Sequence, residues 1–191
     1  MGVEIKQEPI DSLDRLGEVD IAFRVASVLE VSLDNQGLGG MALVELSVDH
    51  PWVKDYDAIH NEGPSRWADQ FDISNWGLLT AHDAGRLIGG AVVAYDTQGV
   101  DMLEGRSDLA VLWDIRVAKE FRSQGVGTQL FVAAAEWAEN RGCRLLKIET
   151  QNINVAACRF YARMGCTLGA INRYAYADLP QEAQLIWYKQ L

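Results

Sequence analysis

The stretch FRSQGVGTQLF, residues 121–131, sets two glycines one residue apart, behind an arginine and ahead of a helical pattern. The first amides of a helix have no internal partners and point the same way. The helix dipole adds about half a positive charge at that end, which suits a phosphate. Gly125 and Gly127 lack the Cβ atoms that would hold a bulky pyrophosphate off those amides. Arg116, Lys119 and Arg122 surround the loop, against Glu120 alone. Two phosphate motifs are excluded. No Lys follows Gly127, as a P-loop requires, and Leu130 stands where a dinucleotide fingerprint needs Gly.

Two carboxylates could move a proton. Asp114 sits inside the apolar run LAVLWDIRV (109–117), and Glu149 ends the strand predicted at 144–150. Alternation along a strand puts Asp114 and Arg116 on one face, with Trp113, Ile115 and Val117 on the other. A buried unpaired charge is costly, so Asp114 either pairs with an arginine or faces an acceptor. Glu149 has the same two options. The three cysteines, Cys143, Cys158 and Cys166, contain no C-x-x-C, and His50, His60 and His82 all lie in the first half of the chain. That pattern supports neither a metal site nor a disulfide framework; it reads as small buried thiols in a reducing compartment.

The elements that position these groups follow from periodicity. A short strand is predicted near 3–7, and a helix over 17–33 from Ile21, Val25, Val28 and Leu29. A strand follows at 42–48, then an irregular acidic stretch over 49–75. Residues 76–82 and 86–96 read as a hairpin about Asp83, Ala84 and Gly85. A strong strand at 109–117 precedes a helix whose apolar face is 126, 130, 134, 137 and 138, stopped at Gly142. A strand at 144–150, a helix from about 154 to Gly165, and strands at 167–177 and 183–191 complete the chain. The class is α+β (mixed α/β), one domain around a central mixed sheet flanked by helices.

With 191 residues the chain is one domain long. It has no apolar run of ~18 residues to cross a membrane, and its acidic first twenty residues lack the apolar core of a signal peptide. Lys6 stands where myristoylation needs Ser or Thr. The expected address is cytoplasmic. Residues 1–75 carry 15 acidic and 5 basic side chains, and 76–191 carry 12 of each, so the whole net charge of −10 lies in the first part. Such a field repels nucleic acid and anionic lipid and attracts cations, or simply keeps the protein soluble.

Two motifs add a family resemblance. VAKEFRSQGVGTQL resembles the acetyl-coenzyme A signature of the GNAT N-acetyltransferase superfamily, with Arg122, Gly125 and Gly127 at its core positions. NVAACRFYARMGC (154–166) resembles that superfamily's second motif through Asn154, Ala157, Tyr161 and Gly165, with Cys166 in place of the usual Phe. The likeness is good over 76–170. The segment 148–176 and the ending IWY are similar to the streptothricin acetyltransferases, with a fainter echo at 47–56.

The resemblance implies acetyl-CoA as co-substrate, with 1–75 on the acceptor side, 76–170 binding the cofactor and 171–191 as closing strands. The backbone of Ile115, Arg116 and Val117, on a strand that splays open, would hold the pantetheine. The amides of Arg122, Ser123, Gln124, Gly125, Val126, Gly127 and Thr128 would cradle the pyrophosphate, with Asn154 and Ala157 opposite. Tyr161, two helical turns past Asn154, is the candidate general acid; a phenol near ~10 suits a departing thiolate near ~8.5. Glu149 or Asp114 is the candidate base. The N-terminal helices and loop would form an acceptor wall in which acidic groups, Trp52, Tyr56 and Trp67 suit a small cationic amine. Polyamines, protein amines, and a non-catalytic acyl-CoA sensor are the alternative readings. A homodimer is an alternative to the monomer.

Overall fold

The structure is a computed structural model that describes residues 2–59 and 63–191. The strands and α-helices are β1 (Glu4–Glu8), β2 (Phe23–Asp34), β3 (Gly40–Lys54), α1 (Pro64–Gln70), β4 (Gly77–Asp83), β5 (Arg86–Ala94) and β6 (Leu109–Val117). They continue with α2 (Val126–Glu139), β7 (Leu145–Gln151), α3 (Val155–Arg163), β8 (Thr167–Asn172) and β9 (Gln184–Gln190). Seven strands form a mixed sheet of order β1-β4-β5-β6-β7-β9-β8, and β2 pairs with β3 in a separate ribbon. This is the α+β class expected from the element order. The chain divides into two compact units. The first is Met1–Ala22, Asp55–Ile148 and Lys189–Leu191; the second is Phe23–Lys54 and Glu149–Tyr188.

In the first unit the expected hairpin is β4–β5, turned through Ala84 and Gly85, both at positive φ. The expected face of α2 is buried: Val126, Leu130, Ala134, Trp137 and Ala138, joined by Phe131. α2 packs on β4, β5 and β6. Gly77 is needed for that packing, because a Cβ there would run into the Trp137 indole. Past the helix, Gly142 takes φ +82, the left-handed stop its position predicts. Beside the sheet, a 3-10 helix (Ile10–Glu18) and α1 contribute Leu13, Leu16 and Trp67 to a core with Trp76, Leu78, Val92 and Val111. Trp67 is therefore core, 4% exposed, rather than part of an acceptor wall.

The second unit corrects the reading of the N-terminal part. Residues 23–34 are not a helix but β2, paired antiparallel with β3 from Phe23↔Lys54 to Asp34↔Gly40. The register slips between Val25 and Ser27, where β3 loops out the segment containing Pro51. The less exposed positions of β2 stay at 23, 25, 27, 29 and 31 across that irregularity, and Val28, out of phase with them, gives Val25, Val28 and Leu29 their helix-like spacing. Proline cannot donate to a ladder, so a bulge is where a strand tolerates it. The helix expected over 17–33 thus gives way from Phe23 onward to one strand of a long ribbon, with Trp52 at 41% exposure. α3 starts at Asn154, whose Oδ1 accepts the Ala157 N–H at 3.1 Å, and the turn after it closes at Gly165 with φ +76. The strand expected over 167–177 ends at Asn172, and β8 pairs antiparallel with β9 from Thr167↔Tyr188 to Asn172↔Gln184.

Candidate functional site

In the first unit the candidate groups lie on β6 and the loop after it. On one side it pairs with β5; on the other it runs parallel to β7, in a register from Leu109↔Leu145 to Leu112↔Ile148. Residues 113–117 extend past that register, so this part of the strand leaves its β7-side backbone edge open. The resemblance expects a splay in this part of the strand, and the paired register stops at Leu112↔Ile148. The β5–β6 register also shifts between Val92 and Val93, which face Asp114 and Leu112 and leave Trp113 as the extra residue. Simple alternation therefore fails at Trp113. It turns into an aromatic cluster, 5.1 Å from Trp76, 5.3 Å from Phe71 and 6.3 Å from Trp67 between ring centroids.

Asp114 and Arg116 form a buried ion pair. The Arg116 side chain is 0% exposed; its Nε donates to Asp114 Oδ1 at 2.9 Å and its Nη2 to Asp114 Oδ2 at 2.8 Å. Nη1 donates to Asp57 Oδ2 at 2.6 Å and to the Val19 carbonyl at 3.2 Å, and Nη2 also reaches Asp57 Oδ1. Burial pulls the guanidinium pKa down, but hydrogen bonds and charges from Asp114 and Asp57 outweigh it and raise the pKa overall. Arg116 thus offers a cofactor its backbone alone, and Asp114 takes the arginine-paired option.

The loop after β6 is shaped by two residues at positive φ, Ser123 (+62) and Gly125 (+86). A non-glycine residue in the left-handed region costs about 1–2 kcal/mol, so the conformation at Ser123 is imposed by its surroundings. Gly125 is the N-cap of α2, and the Gln129 N–H donates to its carbonyl at 3.1 Å. Val126, Gly127 and Thr128 precede that bond, so their amides have no carbonyl within the helix to meet. The Arg122 guanidinium holds the loop in place, donating to the carbonyls of Val117 (2.8 Å), Ala22 (2.9 Å) and Asp20 (2.9 Å). Both arginines near this loop already direct their donors to the protein itself, and the charge of Arg116 is matched by Asp57 and Asp114. Arg116 and Arg122 are engaged with protein acceptors, while Lys119 is exposed.

The second unit carries its own candidate groups. Glu149 is half-buried near the end of β7. Its Oε1 accepts from Tyr176 Oη at 2.7 Å and its Oε2 from Gln184 Nε2 at 2.8 Å. Gln151 Nε2 donates to Tyr176 Oη at 2.9 Å. Tyr161 is 6% exposed on α3, with ring centroids 5.5 Å from Phe160 and 6.5 Å from Trp187. Asn154 uses Oδ1 as the helix cap, so its other amide end is the one suited to a ligand. Sequence reasoning missed Asp57, Tyr176, Gln151 and Gln184 as participants. Only Tyr176 and Gln151 gave a signal, within the segment that carries the closer resemblance.

The acidic excess is partly accounted for by internal bonds. Glu8 meets His82 and Arg15, Asp57 meets Arg116, and Asp20 and Asp72 accept backbone amides of Ala22 and Ser74. Among the described residues no group of three or more His, Cys, Asp or Glu could hold a metal ion, and no helix is long and apolar enough to cross a membrane. His60 and Glu62 lie outside the described residues. All three cysteines are buried, and none is in a disulfide. Burial pushes the Cys158 thiol up to about 12, and burial followed by the Asp108 charge raises that of Cys143. At neutral pH both remain thiols, and the thiolate is the nucleophile. Iodoacetamide at pH 7.5 should therefore leave both unmodified in the native protein, with alkylation by mass spectrometry only after denaturant. Rapid native modification of Cys158 would contradict its burial.

A strand whose end splays open, followed by a left-handed glycine at a helix start, defines a class. The chain belongs to the acetyltransferase (GNAT) family, whose model matches residues 46–166. It is 45% identical over 82 residues to streptothricin acetyltransferase A of Bacillus subtilis, a match covering 41% of this chain and 47%, about half, of that relative. It is 27% identical over 173 residues to the streptothricin acetyltransferase of Streptomyces lavendulae, covering 91% of this chain and 86% of that one. Among solved structures, a Bacillus anthracis protein assigned as a streptothricin acetyltransferase, in complex with acetyl coenzyme A, superposes with a TM-score of 0.75 at 26% identity. That likeness covers all of both chains.

Proposed function

We propose that this acetyltransferase moves the acetyl group of acetyl-CoA to a primary amine of a small cationic acceptor, of the streptothricin type. The observation that carries the reading is the run of likeness through 148–176 to relatives named for that substrate, one of them matched over 91% of this chain. The open edge of β6 at Ile115 and Val117 suits the extended pantetheine, which adds to it as a further strand would. The amides at 122–128, shaped by Ser123 and Gly125, take the pyrophosphate. Asn154 and Ala157, at the start of α3, take the pantetheine amides.

Transfer needs a neutral amine, an oxyanion held by an N–H of the β6 edge, and a proton for the thiolate. Glu149 accepts the proton from the ammonium, directly or through one water. The freed amine attacks the thioester carbonyl, the C–S bond breaks, and Tyr161 Oη gives its proton to the coenzyme A sulfur. The new amide nitrogen sheds its second proton, which restores the phenol through water. Asp114 is assigned to holding Arg116, because both its oxygens are already bound there. A tyrosine at the acid position separates this reading from a non-catalytic sensor, which has no thiolate to protonate.

Recombinant protein with acetyl-CoA, assayed for thiol release against streptothricin, an aminoglycoside, spermidine and a peptide N-terminus, tests the reading. Streptothricin should give a kcat/KM at least about tenfold above the others, within the discrimination available to a polar site. Its KM should also rise with ionic strength, as charge steering predicts. Preference for the peptide would return the protein to the alternative of protein amines.

A further inference from the structure

We infer that Tyr176 is a positioning residue for the reaction, fixing the Glu149 carboxylate through its hydroxyl. The inference rests on the reading of Glu149 as the proton acceptor. Three segments meet at this carboxylate. Glu149 and Gln151 stand two apart on β7, and alternation places them on the same face. Gln184 opens β9, and Tyr176 comes from the connection between β8 and β9. The tyrosine hydroxyl donates to Glu149 Oε1 at 2.7 Å and accepts from Gln151 Nε2 at 2.9 Å, so the O–H direction is set from both sides. Gln184 fixes the other oxygen at 2.8 Å.

The donors are all neutral. Among the described residues Glu149 forms no ion pair, whereas Glu182 in the same unit meets Lys54 at 2.7 Å and Glu45 meets Arg159. In those two pairs the carboxylate charge is matched by a cation. This one is held in place with its charge unmatched, and each oxygen keeps a lone pair beyond the bond it accepts. That arrangement suits an ammonium that arrives, pairs and gives up its proton. Orientation matters because proton transfer requires hydrogen-bond reach in a defined direction, and a carboxylate with one tether lost can rotate out of it. Tyr176 therefore acts through Glu149 rather than on the substrate.

A double-mutant cycle tests this, using Tyr176→Phe, Glu149→Gln and the pair. The acceptor is streptothricin or, if the wild type leaves it unmodified, whichever amine of the panel it does acetylate. The assignment of the substrate can thus fail without touching the cycle. Tyr176→Phe should lower kcat with the acceptor roughly tenfold to a hundredfold, the range for a hydrogen bond to a charged group. The KM for acetyl-CoA should stay unchanged. In the Glu149→Gln background the same change should alter kcat by no more than about twofold, as expected of groups acting as a unit. Gln151→Leu, which leaves the tyrosine in place but frees its hydroxyl, should give a weaker loss of the same kind and serves if Tyr176→Phe does not fold. Equal losses from Tyr176→Phe in both backgrounds, an unchanged kcat in the single variants, or a Glu149→Gln protein as active as wild type would each overturn the inference.

Discussion

Tyr161→Phe is expected to lower kcat by a factor on the order of 10²–10⁴, the usual worth of general acid–base catalysis, with acetyl-CoA affinity nearly unchanged. The substitution removes one hydroxyl and keeps the ring. The ring's contacts with Phe160 and Trp187 are what fill its place against the core, so the variant should fold. A buried tyrosine at 6% exposure has two explanations, packing and proton donation. Packing predicts a small change in stability and none in turnover. Proton donation predicts the reverse, since a coenzyme A thiolate must then leave without its proton. The comparison must be made where chemistry limits, in single-turnover mixing of enzyme and acetyl-CoA with excess acceptor. Near wild-type turnover there would make Tyr161 a packing residue and move the acid to another group or to water.

The loop and helix after β6 were legible in the sequence because their signals are local. An arginine, two spaced glycines and a five-position apolar face fix a loop and a helix within about twenty residues. Gly142 and Gly165 mark the ends where left-handed backbone is needed. Asn154 names its own helix start through the Ala157 amide. The N-terminal ribbon was not legible, since Val28, out of phase with Val25, Leu29 and Val31, mimics helical spacing and only the pairing with β3 restores the strand. Trp113 was misplaced because β6 carries one extra residue there, which breaks its alternation. The roles of Asp57 and Tyr176 arise from contacts across 59 and 27 residues, which no short window of sequence contains.

Arg116 gives the largest expected effect on stability. Its side chain is fully enclosed, and Asp114 beside it is 6% exposed, while Asp57 at 27% retains some contact with water. Arg116→Met fills much of the same volume but leaves the Asp114 carboxylate buried with neither partner nor solvent. Breaking such a pair costs about 3–5 kcal/mol, a large part of a stability that rarely exceeds about 15 kcal/mol. The shift should appear in the urea midpoint at unchanged slope. Adding Asp114→Leu removes the stranded charge, and most of the loss should return, since replacing both members of a buried pair is often neutral. The rescued variant also decides the role of Asp114. If it serves only Arg116, acetyl transfer should persist within a few-fold of wild type. If it accepts the amine's proton, the recovered fold would come with a turnover lower by on the order of 10² or more. A single Arg116→Met variant as stable as wild type would mean that water reaches Asp114 after all, and that the strand carries its charges without help from the pair.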